Sequence, residues 1–138
     1  MKSQDFQTLY HCTYAIQYHL VIVTKYRHRC LTKEMLASLR AISEQQVELK
    51  GGKLIEFNGE EDHLHLLLSL PPNMAVTTLV NSLKTVTARL LRRDYPEWLE
   101  KFYWKKVLWS RSYFVATCGS APLDVIKQYI QQQQTPAD

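Results

Sequence analysis

Apolar residues along this chain follow two different periods, and their succession predicts the order of its elements. TYAIQYHLVIVTKY (13–26) is rich in β-branched and aromatic residues and predicts a strand. In TKEMLASLRAISEQQVELKGG (32–52), Met35, Leu39, Ile42 and Leu49 recur near helical spacing, and the Gly51-Gly52 pair stops the helix. KLIEFN (53–58) and DHLHLLLSL (62–70) predict two short strands joined by GEED, and Pro71-Pro72 ends the second. AVTTLVNSLKTVTARLLRR (75–93) predicts a second helix, with Val76, Leu79, Val80, Leu83 and Leu90 on one stripe. Its threonines are poor helix formers, so packing must hold it. Lys84 and Arg89 fall off that stripe and face solvent or a ligand. DYPEWLEKFYWKKVLW (94–109) keeps no clear period. SYFVAT (112–117) predicts a last strand, and Pro122 opens a final helix, LDVIKQYIQQQQ (123–134).

Strand, helix, strand, strand, helix, strand is the split βαβ arrangement, here with an extra helix. The expected fold class is therefore α+β. It is a ferredoxin-like, RRM-like βαββαβ antiparallel sheet with helices on one face and strands one and three central. A chain of 138 residues, 46% hydrophobic and with four glycines and five prolines, fits a single domain, 1–138. No apolar run approaches the ~18 residues of a membrane span. The first residues lack a signal-peptide core, so a cytoplasmic protein is expected. Three scattered cysteines form no CxxC pair and suggest neither a zinc knuckle nor a disulfide framework.

Net charge is a mild +4, and its distribution says more than its size. Cations gather in KYRHR (25–29), RLLRR (89–93) and WKKVLWSRS (104–112), with aromatics among them. Such patches suit phosphate contacts beside stacked bases, although a solvated surface would look the same.

Two histidines interrupt the apolar strand HLHLLL. Side chains two apart on a strand point the same way, so His63, His65 and Leu67 share one face. Leu64, Leu66 and Leu68 share the other, which packs under the helices. The histidines are left on the open face, hydrogen-bonded and partly solvated or jointly holding a divalent cation. Two ligands rarely suffice, so a cation would need a third. On the final helix Tyr129 and Gln133 are four apart and share a face. Tyr129 can serve as a nucleophile and Gln133 can offer a carbonyl oxygen to a metal. A terminal-helix tyrosine can equally be core or interface.

These residues carry a resemblance. His63, Leu64 and His65 match the His–apolar–His signature of the small single-tyrosine HUH transposases of insertion sequences, the TnpA-type, IS200-like family. The likeness extends in order through YHLVIVTKYRHR, DHLHLLLSLPP, LVNSLKTVTARLL, LWSRSYFVATCG and VIKQYIQQQ. It implies that His63, His65 and Gln133 hold Mg²⁺ or Mn²⁺ and that Tyr129 is the nucleophile on a C-terminal catalytic helix. It divides the chain into an N-terminal segment (1–12), the βαββαβ core (13–118), and a hinge with the tyrosine helix (119–134). The hinge segment TCGSA has one glycine where family members often have two.

The implied activity is cleavage and rejoining of single-stranded DNA through a 5′-phosphotyrosine link. The implied partners are imperfect DNA hairpins at element ends and a second copy of the chain, with active sites shared across a homodimer. Lys25, Arg27, Lys84 and Arg89 are the expected DNA contacts. Three other readings compete with a mobile-element transposase. They are a domesticated relative that processes chromosomal repeats, a replication-initiator nickase, and a non-catalytic nucleic-acid-binding module on the same scaffold.

Overall fold

The computed structural model of the chain describes residues 7–9, 11–117 and 123–133. Two short strands, β1 (Gln7–Leu9) and β2 (Cys12–Tyr14), pair with each other ahead of the main sheet. The main sheet has four antiparallel strands: β3 (Gln17–Val23), β4 (Lys53–Gly59), β5 (His63–Ser69) and β6 (Phe114–Thr117), in the order β4-β5-β3-β6. Central β3 and β5 are the strands expected at the centre. The architecture is the α+β, ferredoxin-like one the pattern predicts.

Helices α1 (Lys33–Leu49) and α2 (Val76–Asp94) cover one face. Beneath them lie Leu20 and Ile22 from β3 and Leu64, Leu66 and Leu68 from β5, all buried. Each such side chain contributes about 1.5–3 kcal/mol by leaving water, so this layer dominates the fold. The seam of α1 runs through Met35, Leu39, Ser43 and Val47, every fourth residue. Leu49, expected on that seam, is exposed, because it lies two residues past buried Val47 and so on the other side of the helix. On α2 the buried stripe ends at Leu91, with Leu90 turned partly outward. Thr87 is tolerated inside that stripe because its hydroxyl donates to the Leu83 carbonyl and accepts from Trp109 Nε1.

Gly51 stops α1 with φ +82°, a conformation that side chains disfavour. A Cβ on Gly52 would sit 2.6 Å from the Ser69 carbonyl oxygen, so the chain can enter β4 there only as glycine.

The first predicted strand differs from the observed one at both ends. It breaks between β2 and β3, and after Val23 it turns through Lys25–Arg27. Tyr26 and Arg27 both have positive φ, at 58° and 56°. Non-glycine residues pay for this conformation, and such strain persists where neighbours fix it. Here Thr24 Oγ1 lies 2.7 Å from the His28 carbonyl and 3.1 Å from that of Asp62, sharing its one proton between them, and the Tyr103 hydroxyl donates to the Lys25 carbonyl. The unassigned aromatic segment contains a short helix, α3 (Pro96–Glu100), which buries Leu99, then an irregular stretch anchored by buried Tyr103, Leu108 and Trp109. No helix among the described residues is long and apolar enough to cross a membrane.

The terminal helix α4 (Leu123–Gln132) lies on the opposite face of the sheet. Ile130 is buried there against Val21 and Val23, with Tyr129 and Phe114 alongside. The expected hinge around Gly119, Cys118, the helix-opening Pro122 and Gln134 fall outside the described residues.

Candidate active site

The site grows from the alternation of β5. Leu64, Leu66 and Leu68 are buried under the helices, whereas His63, His65 and Leu67 are partly exposed on the other face. In the antiparallel pairing, Val23 stands opposite His63, Val21 opposite His65, and His19 opposite Leu67. His19, Val21 and Val23 therefore share the histidine face.

A carboxylate fixes His63. Its Nδ1 lies 2.8 Å from Asp62 Oδ1, and a carboxylate accepts, so Nδ1 carries the proton and Nε2 keeps its lone pair. Arg27 Nε donates to the other oxygen of Asp62 at 2.7 Å. Burial pushes the Asp62 carboxyl up, but the hydrogen bonds from Arg27 and His63 outweigh it and hold the group below the usual carboxylate range. Asp62 thus stays ionised and aligns the imidazole, as carboxylates commonly do behind metal-binding histidines.

His65 is tuned differently. Burial, followed by the like charges of His19 and His63, lowers its pKa from the ordinary 6.5. A neutral ring is what a metal ligand requires. Its Nε2 lies 3.0 Å from His19 Nδ1, with ring centroids 5.1 Å apart.

Tyr129, on α4, and Gln133, one residue past its end, converge on one loop. Ser110 Oγ and Ser112 Oγ donate to Gln133 Oε1 at 3.1 and 2.9 Å. The Tyr129 hydroxyl lies 3.1 Å from Ser112 Oγ. A serine has one hydroxyl proton; with that of Ser112 on Gln133, Tyr129 is the donor to Ser112. Ser110 N donates to the Val23 carbonyl at 2.7 Å, and Lys84 Nζ donates to the carbonyls of Ser110 and Arg111. The serine loop is thereby tied to the end of β3 opposite His63.

The structure brings His63, His65 and the Tyr129–Gln133 helix onto one face of the sheet. The donor chemistry, imidazole nitrogens and an amide oxygen, fits a divalent cation. Among the described residues no three His, Cys, Asp or Glu side chains gather as a ready-made metal cluster, so a set drawn from these residues needs the amide of Gln133.

The four expected cations divide into two pairs. Arg27 and Lys84 support the site from behind, through Asp62 and the serine loop. Arg89 lines a groove of about 720 Å³ together with Arg93, Trp104, Lys105 and Lys106. Lys25 lines a neighbouring groove with Tyr26, His28 and Lys105. Trp104 stands 90% exposed between them.

Sequence reasoning missed His19, Asp62, Ser110 and Ser112. A signal existed for His19, because a lone histidine in YHLVIV has the same parity as Val21 and Val23. Nothing in the pattern marks Asp62 or the serines, whose roles depend on a turn and a loop.

Known proteins give an independent comparison. The family described as "Transposase IS200 like" matches residues 12–133. The ISDra2 transposase TnpA of Deinococcus radiodurans is 35% identical over 120 residues, covering 87% of this chain and 85% of that protein. The transposase for insertion sequence element IS200 of Salmonella typhimurium is 30% identical over 129 residues, covering 94% and 84%. A crystal structure described as a transposase from Deinococcus radiodurans R1 superposes with a TM-score of 0.85 at 31% identity, covering 94% of this chain and 98% of that one. A REP-associated tyrosine transposase bound to a REP hairpin shares the fold, with a TM-score of 0.57 at 10% identity over 90% and 68% of the two chains.

Proposed function

Because this chain belongs to the IS200-like transposase family, we propose that it cleaves and rejoins single-stranded DNA at hairpin-bearing element ends through a 5′-phosphotyrosine intermediate. Tyr129 is the nucleophile, and His63, His65 and Gln133 hold Mg²⁺ or Mn²⁺. The observation that carries this reading is the docking of α4. Ile130 and Tyr129 pack on Val21 and Val23, the cross-strand partners of His65 and His63.

A free tyrosine is only about 0.1% phenolate at neutral pH, so its attack needs assistance. The cation, when bound, supplies Lewis-acid polarisation of a non-bridging phosphate oxygen. The chain's own residues do the rest. Ser112 receives the hydrogen bond of the Tyr129 hydroxyl and orients it, and Asp62 keeps the Nε2 lone pair of His63 available. As the Tyr129 oxygen bonds to phosphorus it gives up its proton. The bond to the 3′ oxygen breaks, and that oxygen leaves as a free hydroxyl. One phosphoester replaces another, so a later hydroxyl can reverse the step and join strands.

The DNA contacts are Lys25, Arg27, Lys84 and Arg89. The grooves around Trp104 support Lys25 and Arg89, which line them beside further arginines and lysines that suit phosphate and aromatics that suit bases; Arg27 and Lys84 line neither groove. The active unit is a homodimer in which α4, resting here on the sheet of its own chain, serves the histidines of the other copy.

A mixing experiment tests the site and the assembly together. In Mn²⁺, His63→Ala and Tyr129→Phe chains should each bind hairpin DNA, since basic contacts set affinity, and each should fail to cleave. A heterodimer of the two should regain one working site. Unchanged cleavage in EDTA would contradict the metal role, and no recovery in a verified heterodimer would contradict the shared site.

A further inference from the structure

Two of the three tryptophans are engaged in the fold. Trp109 is buried and donates to Thr87 Oγ1, and Trp98 donates to the Cys30 carbonyl. Trp104 instead stands 90% exposed, with Lys105 Nζ 5.1 Å from its ring centroid. It lines a cavity of about 480 Å³ together with Tyr26, His28, Phe102 and the two lysines Lys25 and Lys105. Among the described residues no carboxylate lines that cavity. A space of this order holds a small ligand. Aromatic walls beside cations fit a flat neutral ring carried on an anionic chain, which is the chemistry of a nucleobase on its phosphate backbone. Only an unpaired base can enter, because a duplex buries the faces of its bases.

The walls are fixed in place. Tyr26 presents its ring from a backbone with φ 58°, a strain found at ligand clamps. The Tyr103 hydroxyl donates to the Lys25 carbonyl, and Arg92 Nη2 donates to the carbonyls of Lys105 and Val107. The cavity also lies at the His63 end of the sheet. Lys25 N donates to the Leu108 carbonyl, Thr24 pairs with Trp109, and Ser110 N donates to the Val23 carbonyl. These paired segments run from the cavity to Val23, opposite His63, and to Ser110, which bonds Gln133. Val23 and Tyr26 are three residues apart, at most about 11 Å of chain. That is roughly the span of three stacked nucleotides of one strand.

We propose that this cavity takes one unpaired base from the single-stranded flank beside the scissile phosphate, stacked on Trp104. This rests on the reading of the chain as an enzyme of single-stranded DNA. Trp104 is then a positioning residue. By holding one base it fixes the register of the strand, and so decides which phosphate reaches the site. Stacking of this kind tolerates any base, because every base has a π-face. The cavity therefore sets position along the strand rather than sequence.

The test is DNA binding in EDTA, so that no strand is cut. The full chain is titrated with the single-stranded hairpin DNA that lies beside its coding sequence, flanks included. Each unpaired nucleotide of flank and stem is made abasic in turn. One abasic position in the flank should weaken wild-type binding about ten-fold. Trp104→Ala should weaken binding of the intact DNA by the same factor and become indifferent to that one position. Trp104→Phe keeps a ring and should lose less. The side chain is exposed, so neither change disturbs the core. A Trp104→Ala loss that adds independently to every abasic position, or no loss at all, would overturn the proposal. So would coupling to an unpaired base of the stem, or a Phe variant as weak as the Ala variant. In each of these cases the hairpin is still bound and the wider DNA reading survives. Failure of the wild-type chain to bind any of these DNAs would overturn that reading as well.

Discussion

His65 shows how a single side chain can limit stability while serving the site. Its pKa lies below 6.5 in the folded chain, because burial and the neighbouring histidines disfavour the charged ring. The unfolded chain therefore takes up the proton first. Above about pH 6.5 neither state is charged and there is no penalty; as pH falls from there toward the folded value, stability is lost. Asp62 acts in the same direction at lower pH: its contribution is present above 3.8 and is lost as pH falls through its depressed value. The metal-free chain should thus lose thermal stability in two stages on acidification. In a His65→Asn variant the upper stage should shrink, as measured by unfolding midpoints between pH 7 and pH 5. An identical pH profile in that variant would mean the buried ring carries no such cost.

At the scale of elements, β5 was legible because strand alternation is strict: two histidines among leucines must face away from the helices. α4 was legible as a helix, and Tyr129 and Gln133 as one face of it. Where α4 docks was not legible, since periodicity does not say which surface an apolar helix face meets. The turn at Lys25–Arg27 was hidden for a different reason. Its two positive-φ residues are a tyrosine and an arginine, and distant partners (Asp62, Leu108 and Tyr103) hold them there. Ile130 tests the docking of α4. Burying an isoleucine contributes about 2 kcal/mol, so Ile130→Asp should lower the docking constant at least thirty-fold, roughly. The main core lies on the far side of the sheet, so the unfolding midpoint should fall little while DNA cleavage drops steeply. A large loss of stability would mean that α4 is part of the folding core rather than a helix resting on it.

At the scale of the whole molecule, the sheet separates two tasks. One face, with Leu20, Ile22, Leu64, Leu66 and Leu68, carries the core. The other carries imidazoles, the tyrosine helix and the serine loop that ties that helix to β3. Arg27 and Lys84 connect the two by reaching Asp62 and Ser110. The central claim is that this second face makes a covalent bond to DNA through one oxygen atom. Tyr129→Phe removes that oxygen and keeps the ring that packs 5.5 Å from Phe114, so the fold should hold. Wild-type protein given single-stranded hairpin DNA and Mn²⁺ should yield an adduct that survives a denaturing gel. Peptide mapping should find the DNA joined through its 5′ phosphate to Tyr129, and the Phe variant should bind the same hairpin without forming the adduct. An adduct mapped to any other tyrosine, or formed undiminished by Tyr129→Phe, would contradict the account.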